Sequence, residues 1–225
     1  MESLEKPEEA MRRELKEELG VRPRLLFVNT FPGEASWQKR KFAVLSHAFL
    51  ADIGKKDIKL NNENGSYKFT TISRLDPRLV AFDSNRNIVR FIKAQFGKFD
   101  IEELRGLVRQ LDPSAYVGEY ALYHAILNGH IVSIRRRKKL VGMGWIFVRQ
   151  TLLRKQAVIE DMVVDTKHRG RGIGRAILNE LIHWAKKQGV EVIELTSGQH
   201  REVANHLYRS AGFVYHPTNH YLLKL

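Results

Sequence analysis

A short glycine-spaced turn, RGRGIG at residues 169–174, follows an apolar strand-like segment and precedes a helix-like one. Backbone N–H groups at a helix N-terminus bind anionic oxygens, such as those of a pyrophosphate, when no bulky side chain covers them. Four nearby cations add to this attraction: Lys167, Arg169, Arg171 and Arg175. The pattern predicts a phosphate-binding turn. The alternative is a tight strand-to-helix turn with solvated arginines.

The turn differs from two well-known phosphate loops. A Walker loop has Lys and Ser or Thr after its last glycine, whereas Arg175 and Ala176 follow Gly174 here. A dinucleotide fingerprint needs the frame G-x-G-x-x-G, whereas Gly170, Gly172 and Gly174 are evenly spaced. The residues therefore exclude both of these site classes.

A second group of chemically useful residues consists of Glu14, Glu17 and Glu18, within a helix predicted over Pro7–Leu19. Their spacing places the three carboxylates on one helix face. Clustered carboxylates repel one another unless a cation lies between them, and Mg²⁺ is the natural occupant. The alternative is a solvated acidic face paired with the neighbouring arginines and lysine.

Glu160 and Asp161 are adjacent carboxylates in a strand predicted over Gln156–Val164. Neighbouring side chains in a strand point to opposite faces, so only one of the two is expected to face a site beside the glycine turn. Partial desolvation would raise the pKa of that carboxyl group towards a value suited to accepting a proton. We favour Glu160. The alternative is that both carboxylates are structural.

Composition limits the class of protein. A chain of 225 residues with 43% apolar and 28% charged residues is typical of a globular protein with one large or two small domains. Its apolar runs are shorter than the roughly 20 residues of a membrane span, and the N-terminus is too charged for a signal peptide. The sequence contains no cysteine, which excludes disulfides and a thiol nucleophile. We expect a cytoplasmic protein without a membrane partner.

The formal net charge of +13 favours polyanionic ligands. The most basic run, Arg135–Lys139 (RRRKK), lies between two strand-like segments, so a solvated hairpin turn is predicted there rather than a nucleic-acid patch. No specific nucleic-acid partner is expected.

The order of predicted elements indicates two regions that abut without a linker, residues 1–97 and 98–225. In the second region the periodicity predicts two helices, three strands, a long helix over about 172–188, a strand, a further helix and two terminal strands. The terminal strands are expected at 213–216 and 221–225. The long helix begins at the glycine turn, so it must position that turn.

The glycine turn resembles the acyl-CoA signature R/Q-x-x-G-x-G/A of the GNAT family of N-acetyltransferases, preceded by a strand ending V-V-D. A second segment, Arg201–Phe213, resembles the later family motif R/N-x-x-A-x-x-x-Y-x-x-x-G-F, one helix and one strand further on. The resemblance covers about residues 100–225. It implies an α/β (α+β) fold with a mixed, mostly antiparallel sheet flanked by helices.

The same resemblance implies acetyl-CoA as the acetyl donor and direct transfer to a small-molecule or peptide amine. It places Tyr208 as the general acid, with Glu160 or Asp161 as the base. It also implies a possible homodimer. The residues implied to bind the donor are Met162, Val163, Val164, Arg169, Gly170, Arg171, Gly172, Ile173, Gly174, Arg175 and Arg201.

The N-terminal region resembles a different family. The segment Arg13–Val21 matches the core R-E-U-x-E-E-x-G-U of the Nudix box, with Glu5 eight residues earlier. This resemblance implies that Glu14, Glu17 and Glu18 are Mg²⁺ ligands of a hydrolase for nucleoside-diphosphate-linked substrates. The opening glycine of the box and the preceding half-domain would fall before Met1. We therefore expect a truncated, partial Nudix-like α/β region that lacks substrate-binding strands.

These observations make an acetyl-CoA-dependent N-acetyltransferase the leading function. One alternative is a Nudix-type pyrophosphohydrolase, present as a fragment. Another is a non-catalytic acyl-CoA sensor. The acceptor amine is not indicated by the sequence.

Overall fold

The computed structural model describes residues 5–37, 40–54, 58–80 and 82–223. Its described helices are α1 (Pro7–Leu19), α2 (Asp83–Phe96), α3 (Ile101–Val108), α4 (Glu119–Asn128), α5 (Ile173–Lys187) and α6 (Glu202–Ser210). Its described strands are β1 (Arg24–Trp37), β2 (Arg40–Asp52), β3 (Gly129–Arg136), β4 (Lys139–Gln150), β5 (Lys155–Val164) and β6 (Val192–Leu195). Short 3-10 helices cover Ile72–Arg74, Pro77–Leu79 and Thr166–His168.

The chain divides into two compact units. The first comprises Met1–Ile101 with Gly118–Leu127, and the second comprises Glu102–Val117 with Asn128–Leu225. The division at residues 97 and 98, expected from the sequence, stays a prediction.

The first unit contains α1 and the β1–β2 hairpin. Helix α1 forms where it was predicted, with Pro7 at its first position and Gly20 as a left-handed C-cap at φ 68°. Strands β1 and β2 pair antiparallel from Arg24–Asp52 to Trp37–Arg40. This hairpin was not predicted, because the box motif ends at Val21 and contains neither strand. Both strands lie downstream of it.

The second unit is built on a four-stranded sheet in the order β3-β4-β5-β6. The first three strands are antiparallel, and β6 runs parallel to β5. Helix α5 covers one face and buries Ile177, Leu178 and Leu181 against sheet residues such as Ile146 and Ile159. The predicted mixed, mostly antiparallel sheet with flanking helices is confirmed.

Gly144 on β4 lets α5 lie directly on the sheet. A Cβ atom at this position would stand 2.8 Å from Cγ2 of Ile177 and 3.0 Å from Cδ1 of Leu181. Real Cβ atoms do not approach other atoms so closely. The helix, and with it the glycine turn at its N-terminus, therefore takes its place from a residue without a side chain.

The two predicted terminal strands do not form in the described residues. Residues 213–223 carry no strand, and Lys224 and Leu225 lie outside the described part of the chain. Val214, Tyr215, Tyr221, Leu222 and Leu223 are all exposed. A short apolar run forms a strand only where a neighbouring strand supplies hydrogen bonds, and none of the described strands pairs with this segment. Among the described helices, none has the length and apolar character needed to cross a bilayer.

Candidate functional site

The glycine turn is an open loop at the N-terminus of α5. Gly170 and Gly172 have φ of 72° and 75°, a region that strongly favours glycine, and Gly172 is the N-cap of the helix. A Cβ atom at either position would meet nothing within 4 Å, so the outer side of the loop is free space. The first N–H groups of a helix have no acceptor within the helix. The loop conformation is compatible with the predicted anion site, and anion binding there stays a prediction.

Asp165 fixes this loop where it leaves β5. The side chain is buried, and its Oδ1 accepts hydrogen bonds from the backbone N–H of Lys167 at 2.9 Å and from Nδ1 of His168 at 3.3 Å. Nε2 of Gln110 donates to Oδ2 at 3.5 Å, and Nζ of Lys139 lies 3.7 Å from the same oxygen. Asp165 is thus the structural centre of the turn.

The pKa of Asp165 reflects this environment. Burial acts most strongly and by itself would raise it, but the hydrogen bonds from His168, Lys167 and Gln110, with the charge of Lys139, together bring the pKa below its ordinary value. The carboxylate is therefore charged at neutral pH. Sequence reasoning did not select Asp165 as a site residue, although the V-V-D ending of the strand contains it.

Two of the predicted loop cations are held by hydrogen bonds. Nε of Arg169 donates to the carbonyl oxygen of Val164 at 3.1 Å, and Nη2 of Arg175 donates to Oγ of Ser210 at 2.5 Å. The second bond links α5 to α6. A Cβ atom on Gly174 would lie 3.2 Å from Leu207 of α6, so α6 also borders the loop.

Among the described strands, none pairs with the edge of β5 next to the loop beyond Ile159. Its parallel ladder with β6 runs from Gln156–Val192 and ends at Ile159–Leu195, whereas β5 itself continues to Val164. The main chain of Met162–Val164 therefore extends beyond the paired part of β6. Backbone groups along such an edge can pair with an extended ligand in the manner of an added strand.

Near this divergence, the Ser197 hydroxyl is buried and has no hydrogen-bond partner among the described residues. It lies two residues beyond the end of β6. Buried polar atoms nearly always have partners, so an orphaned hydroxyl here suits a region that a polar ligand completes. Sequence reasoning missed Ser197, and no motif would have selected it.

A β-bulge lies at Asp161 and Met162, directly after Glu160. Trp145 pairs with Glu160 and Met143 with Val163, so two residues of β5 face the single Gly144 of β4. Asp161 adopts a left-handed φ of 52°. Before the bulge, the odd-numbered residues Ala157 and Ile159 pack in the core beneath α5. After it, the even-numbered residues Met162 and Val164 pack there instead. The expectation of strict alternation at these two carboxylates is wrong, because the bulge shifts the pattern by one residue.

Both carboxyl groups have raised pKa values. Desolvation raises the pKa of Glu160 most, the charges of Asp161 and Glu194 raise it further, and the charge of His220 lowers it. Asp161 keeps contact with solvent, yet the loss of part of its hydration still raises its pKa. These are the shifts expected of a proton acceptor in a partly desolvated cleft.

Tyr208 lies on α6, partly buried against the core beneath α5. Its ring packs edge-to-face on Phe213, with centroids 6.1 Å apart. Burial raises the pKa of the Tyr208 hydroxyl, and the charge of Arg201 at the start of α6 partly opposes this effect. The hydroxyl therefore keeps its proton throughout the neutral range.

The predicted metal ligands Glu14, Glu17 and Glu18 lie on α1, but their surroundings differ from a metal site. Nη1 of Arg13 lies 2.8 Å from Glu14 and 3.1 Å from Glu17, and its Nη2 lies 3.3 Å from Glu5. Across the described ranges, no three His, Asp or Glu side chains are grouped so that they could hold a metal ion. The carboxylates as arranged do not fit Mg²⁺, and the predicted metal site stays a prediction.

Comparison with known families matches each part of the chain separately. The family model described as Acetyltransferase (GNAT) family matches residues 100–213, which is half of the chain. The model of the NUDIX domain matches residues 1–91. The two resemblances inferred from motifs are therefore confirmed, with an acetyltransferase-type second half and a Nudix-like N-terminal region.

Individual relatives agree with this assignment. An uncharacterized N-acetyltransferase of Methanocaldococcus jannaschii is 42% identical over 60 residues, a match that spans 27% of this chain and only 26% of that protein. A protein of Agrobacterium tumefaciens assigned as an acetyltransferase is 25% identical with a TM-score of 0.50, over 57% of this chain and 96% of its own. An aminoglycoside acetyltransferase from an uncultured soil sample has a TM-score of 0.51 at 19% identity, over 57% of this chain and 91% of its own, and shows the fold alone.

Proposed function

We propose that this chain, which belongs to the acetyltransferase (GNAT) family, transfers an acetyl group from acetyl-CoA directly to an amine. One observation carries the proposal. The open edge of β5 at Met162–Val164 leads directly into the open glycine loop at residues 169–174, so a single extended ligand with a pyrophosphate suits both.

The residues present fit such a donor. The N–H groups of the loop and of the first turn of α5 would hold the pyrophosphate, with Arg171 and Lys167 adding positive charge. The main chain of Met162–Val164 would hydrogen-bond to the extended arm. When bound, acetyl-CoA supplies the acetyl thioester that the amine attacks.

Glu160 is the proposed proton acceptor for the amine nitrogen. An ammonium group has no lone pair, so the amine must lose a proton before it forms the new C–N bond. The raised pKa of Glu160 brings its basicity closer to the neutral range while leaving it able to ionise. Asp161, in the bulge, is the alternative acceptor, acting directly or through water.

Tyr208 is the proposed proton donor to the sulfur that leaves when the C–S bond breaks. A group with this role must be protonated before the reaction, and burial of Tyr208 keeps it so. No covalent acyl-enzyme is required, in agreement with a sequence that has no cysteine. Arg201, close enough to influence the Tyr208 pKa, is proposed to contact the donor.

The acceptor is proposed to be a small-molecule or peptide amine. One neighbour in fold is an aminoglycoside acetyltransferase, but that acceptor class is a property of the neighbour. The other enzymatic alternative is Mg²⁺-dependent hydrolysis by the Nudix-like region. It lacks support because Arg13 forms ion pairs with Glu14 and Glu17, two of the three carboxylates that Mg²⁺ would need as ligands.

Release of CoA thiol is the decisive assay. The purified full chain is mixed with acetyl-CoA and a panel of aminoglycosides, polyamines, amino sugars and peptides with free N-termini. We expect thiol release with at least one class, together with an acetylated amine detected by mass spectrometry. Binding of acetyl-CoA without thiol release across the panel would instead support the acyl-CoA sensor and overturn the catalytic proposal.

A further inference from the structure

A basic cavity lies between the tip of the β3–β4 hairpin and the glycine loop. It has a volume of about 450 Å³ and is lined by Arg136, Arg137, His168, Arg171 and Ile173. A second cavity of about 290 Å³ shares Arg136, Arg171 and Ile173 with it and is also lined by Ser133 and Gly172. The two cavities therefore adjoin the same two arginines. Three of the lining side chains in the larger cavity are guanidinium groups.

The basic run Arg135–Lys139 forms an exposed hairpin turn, as predicted from the sequence, but its cations differ in their partners. Arg135 pairs with Glu103 at 2.7 Å, and Lys139 lies 3.7 Å from Asp165. By contrast, no carboxylate of the described chain forms an ion pair with Arg136, Arg137 or Arg171. Among the described residues, these three unpaired guanidinium groups line the larger cavity, whereas the paired Arg135 lines only the smaller one.

The hairpin turn holds its cationic residues in an unfavourable backbone conformation. Arg137 and Lys138 have φ of 48° and 70°, where Asn and Gly are the preferred residues of a two-residue hairpin. Each non-glycine residue in this region costs about 1 kcal/mol or more. A hydrogen bond from Nη1 of Arg135 to the Lys138 carbonyl oxygen at 2.6 Å stabilises the turn. Arg137 therefore occupies a position where Asn would be more stable.

The lining indicates the chemistry of the ligand. Guanidinium groups present paired N–H donors that match the oxygens of a phosphate, and several together suit a phosphate monoester with close to two negative charges. Because Arg171 and Gly172 also belong to the glycine loop, the cavity begins where the proposed pyrophosphate site ends. A ligand bound at the loop could therefore place a further phosphate in it.

We propose that the hairpin tip forms a separate phosphate-monoester site, which recognises the phosphate on the ribose of acetyl-CoA. This inference rests on the proposed function. In this proposal Arg136 and Arg137 select the acetyl donor by binding its phosphate monoester. Both residues lie outside the two family motifs. The chain then distinguishes CoA from dephospho-CoA, which lacks only that monoester.

Calorimetric titration of the full chain with CoA and with dephospho-CoA tests this site. The double variant Arg136→Gln, Arg137→Asn removes both charges while giving the turn a residue suited to positive φ, so we expect its melting temperature to be unchanged or higher. The matched control is Lys186→Gln, Lys187→Gln, which removes two charges from the opposite end of α5.

We expect the unmodified chain to bind CoA about 10-fold or more tightly than dephospho-CoA. In the arginine variant the affinity for CoA should fall to that for dephospho-CoA, whose own affinity should change little. The lysine variant should keep the preference. Equal affinity of the unmodified chain for the two ligands, or an equal loss for both in the arginine variant, would overturn the site but leave the proposed function standing. Binding of neither ligand would overturn the proposed function and this inference with it.

Discussion

The carboxylate of Asp165 accepts a hydrogen bond from the backbone N–H of Lys167 at 2.9 Å, at the point where β5 turns into the glycine loop. The backbone N–H of Asp165 itself donates a hydrogen bond to the carbonyl oxygen of Val141 on β4, also at 2.9 Å. The loop is therefore anchored to the sheet on one side and capped on the other. Its shape before ligand binding depends on this residue.

Replacing Asp165 with Ala should destabilise the second unit by about 1–3 kcal/mol, because buried donors lose their acceptor. Affinity for CoA should fall as well, since the loop loses its anchor. Urea unfolding and calorimetric titration measure the two effects. Asp112→Ala is the control, because Asp112 caps an exposed turn at Ser114. A loss of CoA affinity equal to that in the control would contradict the anchoring role.

The contribution of Asp165 should depend on pH. Its pKa in the folded chain is below the ordinary 3.8, so the stabilisation is present above that value and is lost as the pH falls through the folded-state pKa. The difference in unfolding free energy between the unmodified chain and Asp165→Ala should therefore shrink when it is measured at about pH 3 instead of neutral pH. If this free-energy difference grew on acidification, the pKa of Asp165 would be raised by folding and not lowered.

Gly144→Ala should destabilise the second unit by about 1–3 kcal/mol through overpacking against Ile177 and Leu181. Helix α5 must move away from the sheet, so CoA affinity should weaken too. Gly106→Ala in α3 is the matched control, because a Cβ atom there meets nothing within 4 Å. It should be neutral or stabilising by about 0.5–1 kcal/mol. Thermal unfolding of the two variants decides, and equal melting temperatures would refute the close-packing argument.

Glu160→Gln should lower the turnover number about 10²- to 10⁴-fold, the usual contribution of a general base. In the unmodified chain kcat/KM should fall as the pH drops through the raised pKa of Glu160, because only the ionised form accepts a proton. That acidic limb should be absent from the variant. Asp161→Asn provides the comparison. If Asp161→Asn loses the acidic fall in kcat/KM and Glu160→Gln keeps it, the base is Asp161.

Tyr208→Phe should lower kcat about 10²- to 10⁴-fold while leaving CoA affinity and melting temperature nearly unchanged. The phenylalanine ring can keep the contact with Phe213 and loses only the hydroxyl group. Steady-state kinetics and thermal unfolding separate catalysis from packing. Undiminished turnover in this variant would remove Tyr208 from the mechanism and leave it a packing residue.

Local features of the site could be predicted from sequence, and features that depend on distant pairing could not. The glycine loop, the long helix after it and the hairpin turn at Arg135–Lys139 each follow from neighbouring residue types. The bulge at Asp161 could not be predicted, because it arises from the register between β4 and β5. The partner Gln110 of Asp165 is 55 residues away in the chain. No local pattern connects them.

The same limit explains the errors at the chain's margins. Short apolar runs at 213–216 and 221–225 predicted strands, but a strand needs a neighbour, and local sequence does not show whether one is present. The β1–β2 hairpin was missed because the motif that identifies its region ends at Val21, before either strand begins.

The open edge of β5 affects the protein's resistance to aggregation as well as its chemistry. Unpaired strand edges are templates on which other chains can add, and they are starting points for aggregation. An acetyl donor lying along Met162–Val164 would cap that edge and, at about 100 times its dissociation constant, stabilise the folded chain by about 2.7 kcal/mol. The lifetime of the protein would then rise and fall with the supply of its own substrate.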